Sequence, residues 1–161
     1  MEKPVSDNIL EIGGGDNPRY RPNMDIRKGE KVDIVADLNQ KFPIVDESYE
    51  FVYCAFMIEH LSWRSIPQFL SEVNRILKPN GRCTFITANL LEQCRKAIAT
   101  KEWDENIPGM IFGGQDYPEN THRAGFSPSY AFKLFRAAGF SGITVYPLQT
   151  CNTDMIVEAV K

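Results

Sequence analysis

Asn8 to Asn17, N-I-L-E-I-G-G-G-D-N, is the stretch whose reading decides the fold. Ile9, Leu10 and Ile12 form a short apolar run of the kind found in a strand buried within a parallel sheet. Gly13, Gly14 and Gly15 follow without a gap, and Asp16 and Asn17 close the turn. With no Cβ in the way, such a turn lets the backbone approach a ligand closely. Glu11, one residue inside the strand end, puts a carboxylate where a ligand's ammonium or hydroxyl could sit. The same letters also spell a glycine turn with no ligand, so the rest of the chain has to decide.

Outward from that turn, the chain reads as strands with helices in only some of the gaps. Pro18 and Pro22 bracket a polar, irregular link. Met24-Asp25-Ile26 is a second short strand, and Val32 to Leu38 a third, ending in the acid Asp37. Tyr49 to Phe56 is β-rich and apolar enough for a central strand. Ile66, Phe69, Leu70, Val73, Ile76 and Leu77 recur at helical spacing, with Pro67 in the first turn and Pro79-Asn80-Gly81 as the stop. Arg82 to Ala88 is a fifth strand, and Asn89 to Thr100 is helical with Leu90, Leu91, Cys94 and Ile98 on one side. Glu102 to Phe126 has no clear period. Ser127 as cap, Pro128 and Gly139 frame a last helix with the stripe Ala131, Leu134, Phe135 and Ala138. Gly142 to Leu148 and Asp154 to Val160 make a closing hairpin.

The 161 residues, 43% of them hydrophobic, suit one domain with one sizeable core. A net charge of -3 without a basic tract gives no sign of nucleic acid or an anionic membrane as partner. No apolar run reaches the ~18 residues of a membrane span. No secretory signal is visible at Met1 to Asp7. Cys54, Cys83, Cys94 and Cys151 are scattered, which favours reduced thiols in a cytoplasmic protein over disulfides or zinc.

Strands alternating with helices predict an α/β fold: a Rossmann-like, mostly parallel sheet with a C-terminal antiparallel hairpin and a reduced number of covering helices. Ligands of such sheets bind beyond the carboxyl ends of the strands, where strand order reverses. The glycine turn, Asp25, Asp37 and Phe56 to His60 all fall at such ends.

In L-E-I-G-G-G, V-A-D-L, F-P-I-V-D-E-S-Y-E-F-V-Y, I-E-H-L and E-V-N-R-I-L-K-P-N-G-R, the chain resembles the class I S-adenosylmethionine-dependent methyltransferases of the small-molecule "type 11" kind. The resemblance covers roughly Asn8 to Ala88, and G-F-S-P and A-A-G-F fit a common family ending. Within the family it is most similar to short members with an I-F-G-G-Q segment and a following histidine, here Ile111 to Gln115 and His122. The implied single domain, 1–161, has a cofactor-binding half at 1–88. A lid and acceptor segment follows at 89–126, then a C-terminal helix and hairpin at 127–161.

The resemblance implies S-adenosyl-L-methionine as cofactor and S-adenosyl-L-homocysteine as product. Gly13, Gly14 and Gly15 would meet the methionine half, with Glu11 near its ammonium. Asp25, with Ile26 beside it, would take the ribose hydroxyls, and Asp37 the adenine amino group with Leu38 against the ring. Phe56 and Met57 would line the sulfonium. Each acid also reads as an ordinary exposed strand-end carboxylate.

His60 is the candidate general base, and Glu59-His60 otherwise opens the next helix and packs structurally. His122, with Gln115, Tyr117 and Arg123, lies in the expected acceptor lid, where a surface histidine is the plain alternative. No metal ligand set is complete, because Phe56, Met57 and Ile58 precede the Glu59-His60 pair. The absence of a D-P-P-Y or N-P-P-Y tetrad and of a Pro-Cys nucleophile argues against base methylation, and the resemblance implies a small-molecule or sugar-containing acceptor. A non-catalytic or partner-activated binding module is the second reading. A nicotinamide oxidoreductase is disfavoured, since no third glycine opens a helix for a pyrophosphate.

The nine residues Gly14 to Pro22 are too few for a parallel crossover helix, which takes about a dozen or more. Arg27 to Lys31 and Asn39 to Ser48 are short as well, so one sheet face should be poorly covered. Either Asn89 to Phe126 folds back over it or a second copy does, and a homodimer is the favoured assembly.

Overall fold

The structure is a computed structural model, and it describes residues 8–101, 103, 104 and 106–161. Seven strands form one sheet in the order β3-β2-β1-β4-β5-β7-β6. They are β1 Ile9–Ile12, β2 Asn23–Asp25, β3 Ile34–Val35, β4 Tyr49–Ala55, β5 Leu77–Ala88, β6 Ser141–Leu148 and β7 Cys151–Val160. The first five run parallel, and β7 runs antiparallel to both β5 and β6. The expected α/β, Rossmann-like sheet with its antiparallel hairpin is therefore present, and its order reverses between β1 and β4.

Alternation along the strands builds the core on one face. Leu10, Ile12, Val52, Cys54, Cys83, Phe85, Met155 and Val157 are all buried there. Against them lie α1 Ile66–Ile76 and α4 Pro128–Ala137. Helix α1 buries Ile66, Phe69, Leu70, Val73 and Ile76, the apolar stripe read from its spacing. Phe69 meets Phe42 and Phe85 edge-on at 5.8 and 6.1 Å, and Phe135 of α4 meets Phe85 at 5.1 Å. Each such ring contributes roughly 1.5–3 kcal/mol through burial. Helix α4 has the expected cap, with Ser127 Oγ accepting the Tyr130 N–H at 3.3 Å.

Several boundaries differ from expectation. Helix α1 ends at Ile76, and Pro79-Asn80-Gly81 is no stop signal but an excursion inside β5. The chain is already paired at Leu77 with Tyr49, bulges where Asn80 takes φ +62°, and rejoins β4 at Arg82. The third strand shrinks to Ile34–Val35, because the Asp37 carboxylate turns back onto the Asn39 N–H at 2.9 Å and ends it. The segment 102–126 holds a short helix, α3 Asn106–Phe112; Glu102 and Glu105 lie outside the described residues.

The stripe expected on α2, Leu90–Thr100, is not a packing face, since Leu91 and Ile98 are exposed and Gln93 is its buried residue. Residues 113–126 do not fold back over the second sheet face. They run along the carboxyl edge of the sheet instead, where strand ends leave carbonyls that need donors. Arg123 and Ala124 N–H groups donate to the Glu59 carbonyl at 2.8 and 3.1 Å, and Leu90 N–H donates to Phe126.

No helix lies in the links 13–22 and 26–33. On that face Tyr20 packs edge-on against Phe51 and Tyr53, and the Arg19 guanidinium lies over the Tyr20 and Tyr53 rings. Farther along the same face stand Arg82, Thr144 and Glu158, all exposed. Part of the face is thus covered locally, and elsewhere it mixes these polar side chains with Ile86, Ile156 and the exposed Tyr146.

Candidate functional site

The carboxyl ends of β1, β2 and β4 open into a cleft. Its floor begins with the glycine turn. Gly13 has φ +81°, and a Cβ there would lie 2.2 Å from Met57 Cγ, so only glycine lets β1 and Met57 approach this closely. A Cβ on Gly14 would stand 2.8 Å from Glu11 Oε1 and 2.9 Å from Asn23 Oδ1. The Gly14 and Gly15 N–H groups donate to Asn23 Oδ1 and Asp25 Oδ2, both at 3.1 Å, tying the turn to β2.

Asp25 is buried at the end of β2 and lines the cleft. Its Oδ1 accepts the Arg27 N–H at 2.9 Å while Oδ2 holds Gly15. Each carboxylate oxygen keeps a further lone pair beyond those bonds. Ile26, Leu38 and Asn39 continue the wall, and Phe56, Met57, His60 and Leu61 form the opposite side. From the segment 113–126 come Tyr117, Glu119 and Arg123. Arg27 reaches across to that segment, with its guanidinium 4.2 Å from the centre of the Tyr117 ring.

Gly13, Asp25, Ile26, Leu38, Phe56, Met57 and His60 therefore share one cleft, and five other candidates stand back from it: Gly14 and Gly15 in the turn tied to β2, and Glu11, Asp37 and His122. Glu11 is buried beneath the glycine loop, where Oε2 accepts the Tyr20 N–H at 2.6 Å. Asp37 is exposed at the end of β3, and its Oδ1 accepts both N–H groups of Asn39 at 2.9 Å. His122 stands behind His60, with ring centres 4.9 Å apart at 70°, and its Nδ1 lies 3.2 Å from the Ile111 carbonyl. Burial lowers the proton affinity of both imidazoles, and the proximity of His122 lowers that of His60 further. His60 is thus a neutral base at the cleft wall at pH 7.

The pair Glu59-His60 does not open α1. Ile58–His60 is a separate 3-10 turn ahead of it. The Glu59 side chain points away from solvent, and burial raises its carboxyl to about 7. Its Oε2 and the Thr87 Oγ1 are both without a hydrogen-bond partner. Arg27, Asn39, Leu61 and Glu119 were not foreseen. Arg27 and Asn39 each directly follow an element flagged for its end residue, so adjacency was the available signal. Among the described residues no group of three or more His, Cys, Asp or Glu is placed to hold a metal, and no helix is long and apolar enough to cross a membrane.

Residues 18–85 match the family described as methyltransferase domain. A methyltransferase-like protein of Schizosaccharomyces pombe is 28% identical over 112 residues, covering 60% of this chain and 40% of its own. The chain thus spans less than half the length of that curated relative. An S-adenosylmethionine-dependent methyltransferase from Thermotoga maritima superposes with a TM-score of 0.68 at 18% identity, over 96% of this chain and 82% of that one. Phosphoethanolamine N-methyltransferase 2 of Haemonchus contortus, solved with S-adenosyl-L-methionine, gives 0.66 at 12% identity over 99% and 50%. A third, from Mesorhizobium loti, gives 0.65 at 15% over 96% and 90%. The matched domain and the shared fold bear out the resemblance seen in the motifs.

Proposed function

We propose that this chain, whose fold is that of the class I S-adenosylmethionine-dependent methyltransferases, transfers a methyl group from that cofactor to a small-molecule or sugar-containing acceptor. The observation that carries the reading is the cleft itself, where a Cβ-free turn, a buried acid and a neutral imidazole meet at the point where strand order reverses. A cofactor of this class fits those residues. The glycine turn offers a surface without side chains, Asp25 keeps spare lone pairs for hydroxyls, and Leu38 and Ile26 give an apolar wall. Glu11 would act by holding the loop, and Asp37 by shaping the turn that carries Leu38 and Asn39. Gly14 and Gly15 would act by fixing the loop on β2.

S-adenosylmethionine, when bound, supplies an electrophilic methyl on a sulfonium and leaves as the neutral thioether. The chain's own part is to hold the acceptor in line, which accounts for most of the acceleration in such a displacement. His60 would take the proton that a hydroxyl acceptor gives up, with His122 fixing its ring from behind. The segment 89–126 would form the lid and acceptor segment, its residues 113–126 lying beside the pair. Cys54 and Cys83, both buried free thiols, suit a reducing, cytoplasmic setting. A homodimer is a separate proposal that the site does not require.

The pH profile of methyl transfer tests the base. Because burial lowers the His60 proton affinity, activity should hold at neutral pH and fall only below the ordinary imidazole value of 6.5. His122→Gln removes the neighbouring charge and should move that acid limb to higher pH. An unchanged limb in both His60→Gln and His122→Gln would rule out the assigned roles. The second reading, a binding module that awaits a partner, predicts cofactor binding with no turnover on any acceptor.

A further inference from the structure

Phe56 breaks a local rule at the mouth of the cleft. Its φ is +51°, a left-handed conformation in which a bulky L side chain is strained. The backbone is held there by the Phe56 N–H donating to the Ile86 carbonyl at 2.8 Å. The strain turns Met57 inward, where it is 7% exposed, and leaves the Phe56 ring 48% exposed to the cleft. Folding alone would favour the reverse, with an aromatic ring in the core. The other rings nearby are engaged, since Tyr117 carries Arg27 on its face and His60 meets His122. Among the described residues no aromatic or cationic partner faces the Phe56 ring.

We propose that Phe56 is a stacking platform for a planar, hydroxyl-bearing aromatic acceptor, presented with its oxygen toward His60; this rests on the methyltransferase reading above. Arg27 and Arg123 are balanced in the cleft by Asp25 and Glu119, so its lining holds no net negative charge to draw a cationic amine. A sugar needs several free hydrogen-bonding groups, whereas the spare lone pairs of Asp25 are assigned to the cofactor's hydroxyls and Asn39 Nδ2 is bound to Asp37. An aromatic hydroxyl is also acidic enough for a neutral imidazole to accept its proton. In the reaction the acceptor O–H proton passes to His60 and an O–CH3 bond forms. The S–CH3 bond breaks with its electron pair remaining on sulfur.

Fluorescence titration with 7-hydroxycoumarin, in the presence of saturating S-adenosyl-L-homocysteine, tests the platform on the full chain. Binding should weaken about tenfold or more in Phe56→Ala, the equivalent of one lost aromatic contact, and persist in Phe56→Tyr. The loss of coumarin binding in Phe56→Ala should exceed any loss of affinity for S-adenosyl-L-homocysteine. Equal coumarin binding by Phe56→Ala, or displacement of the probe by methyl β-glucoside, would overturn the platform alone. Failure of the wild type to bind S-adenosyl-L-homocysteine would instead remove the cofactor reading and the platform with it.

Discussion

Phe56 shows how far a single residue can be read from its backbone. If its left-handed conformation is imposed by the site, the usual order of small residues should invert there. Phe56→Gly should be more stable than Phe56→Ala by about 1 kcal/mol, because glycine adopts positive φ freely and alanine does not. Urea denaturation of the two variants decides it, and an alanine variant equal or superior to glycine would mean the conformation is not strained. Nothing in the letters around Phe56 announces a positive φ, so this feature was not legible in the sequence. Gly13 was, since consecutive glycines at a strand end signal a close approach, and the approach is to Met57. Glu11 and Asp25 were singled out as strand-end acids. The sequence could not show that one turns under the loop while the other lines the cleft, since that depends on which side chain meets the Tyr20 N–H.

Among elements, the 3-10 turn Ile58–His60 does more than its length suggests. It presents His60 to the cleft, and its Glu59 carbonyl receives the N–H groups of Arg123 and Ala124. Its buried carboxyl gives this element a pH signature. The unfolded chain ionises Glu59 near 4.5, whereas burial keeps it protonated to about 7 in the folded state. Its contribution is therefore full below 4.5 and lost as pH rises to 7, by about 3 kcal/mol, then constant. Glu59→Gln should remove that loss, so the stability gap between variant and wild type should widen from about pH 5 to about pH 8 in denaturant titrations. A gap that stays constant would contradict a buried, protonated Glu59. Helices α1 and α4 were readable because their apolar spacing and caps agree with where they pack. Helix α2 misled, because Leu91, Cys94 and Ile98 share a helical face that the fold leaves at the rim.

At the scale of the whole molecule, the sheet survives the loss of its early crossover helices by local means. Arg19 and Tyr20 cover Phe51 and Tyr53, while Arg82, Thr144 and Glu158 let water face part of the rest. The shortened links were countable in the sequence, but the solution was not, since Tyr20 in an irregular link carries no periodicity that assigns it to a sheet face. The same shortening leaves the glycine loop without a helix behind it, so the loop depends on Asn23 and Asp25 side chains for its shape. Asp25 then carries both the loop and the cleft, and its removal should cost cofactor binding more than any other single change in the wall. Calorimetric titration with S-adenosyl-L-methionine and S-adenosyl-L-homocysteine, with NAD as control, measures this directly. The account predicts micromolar binding of both, none of NAD, and at least a roughly tenfold loss in Asp25→Ala, the loss expected from removing charge-assisted hydrogen bonds. No binding by the folded wild-type protein would contradict it.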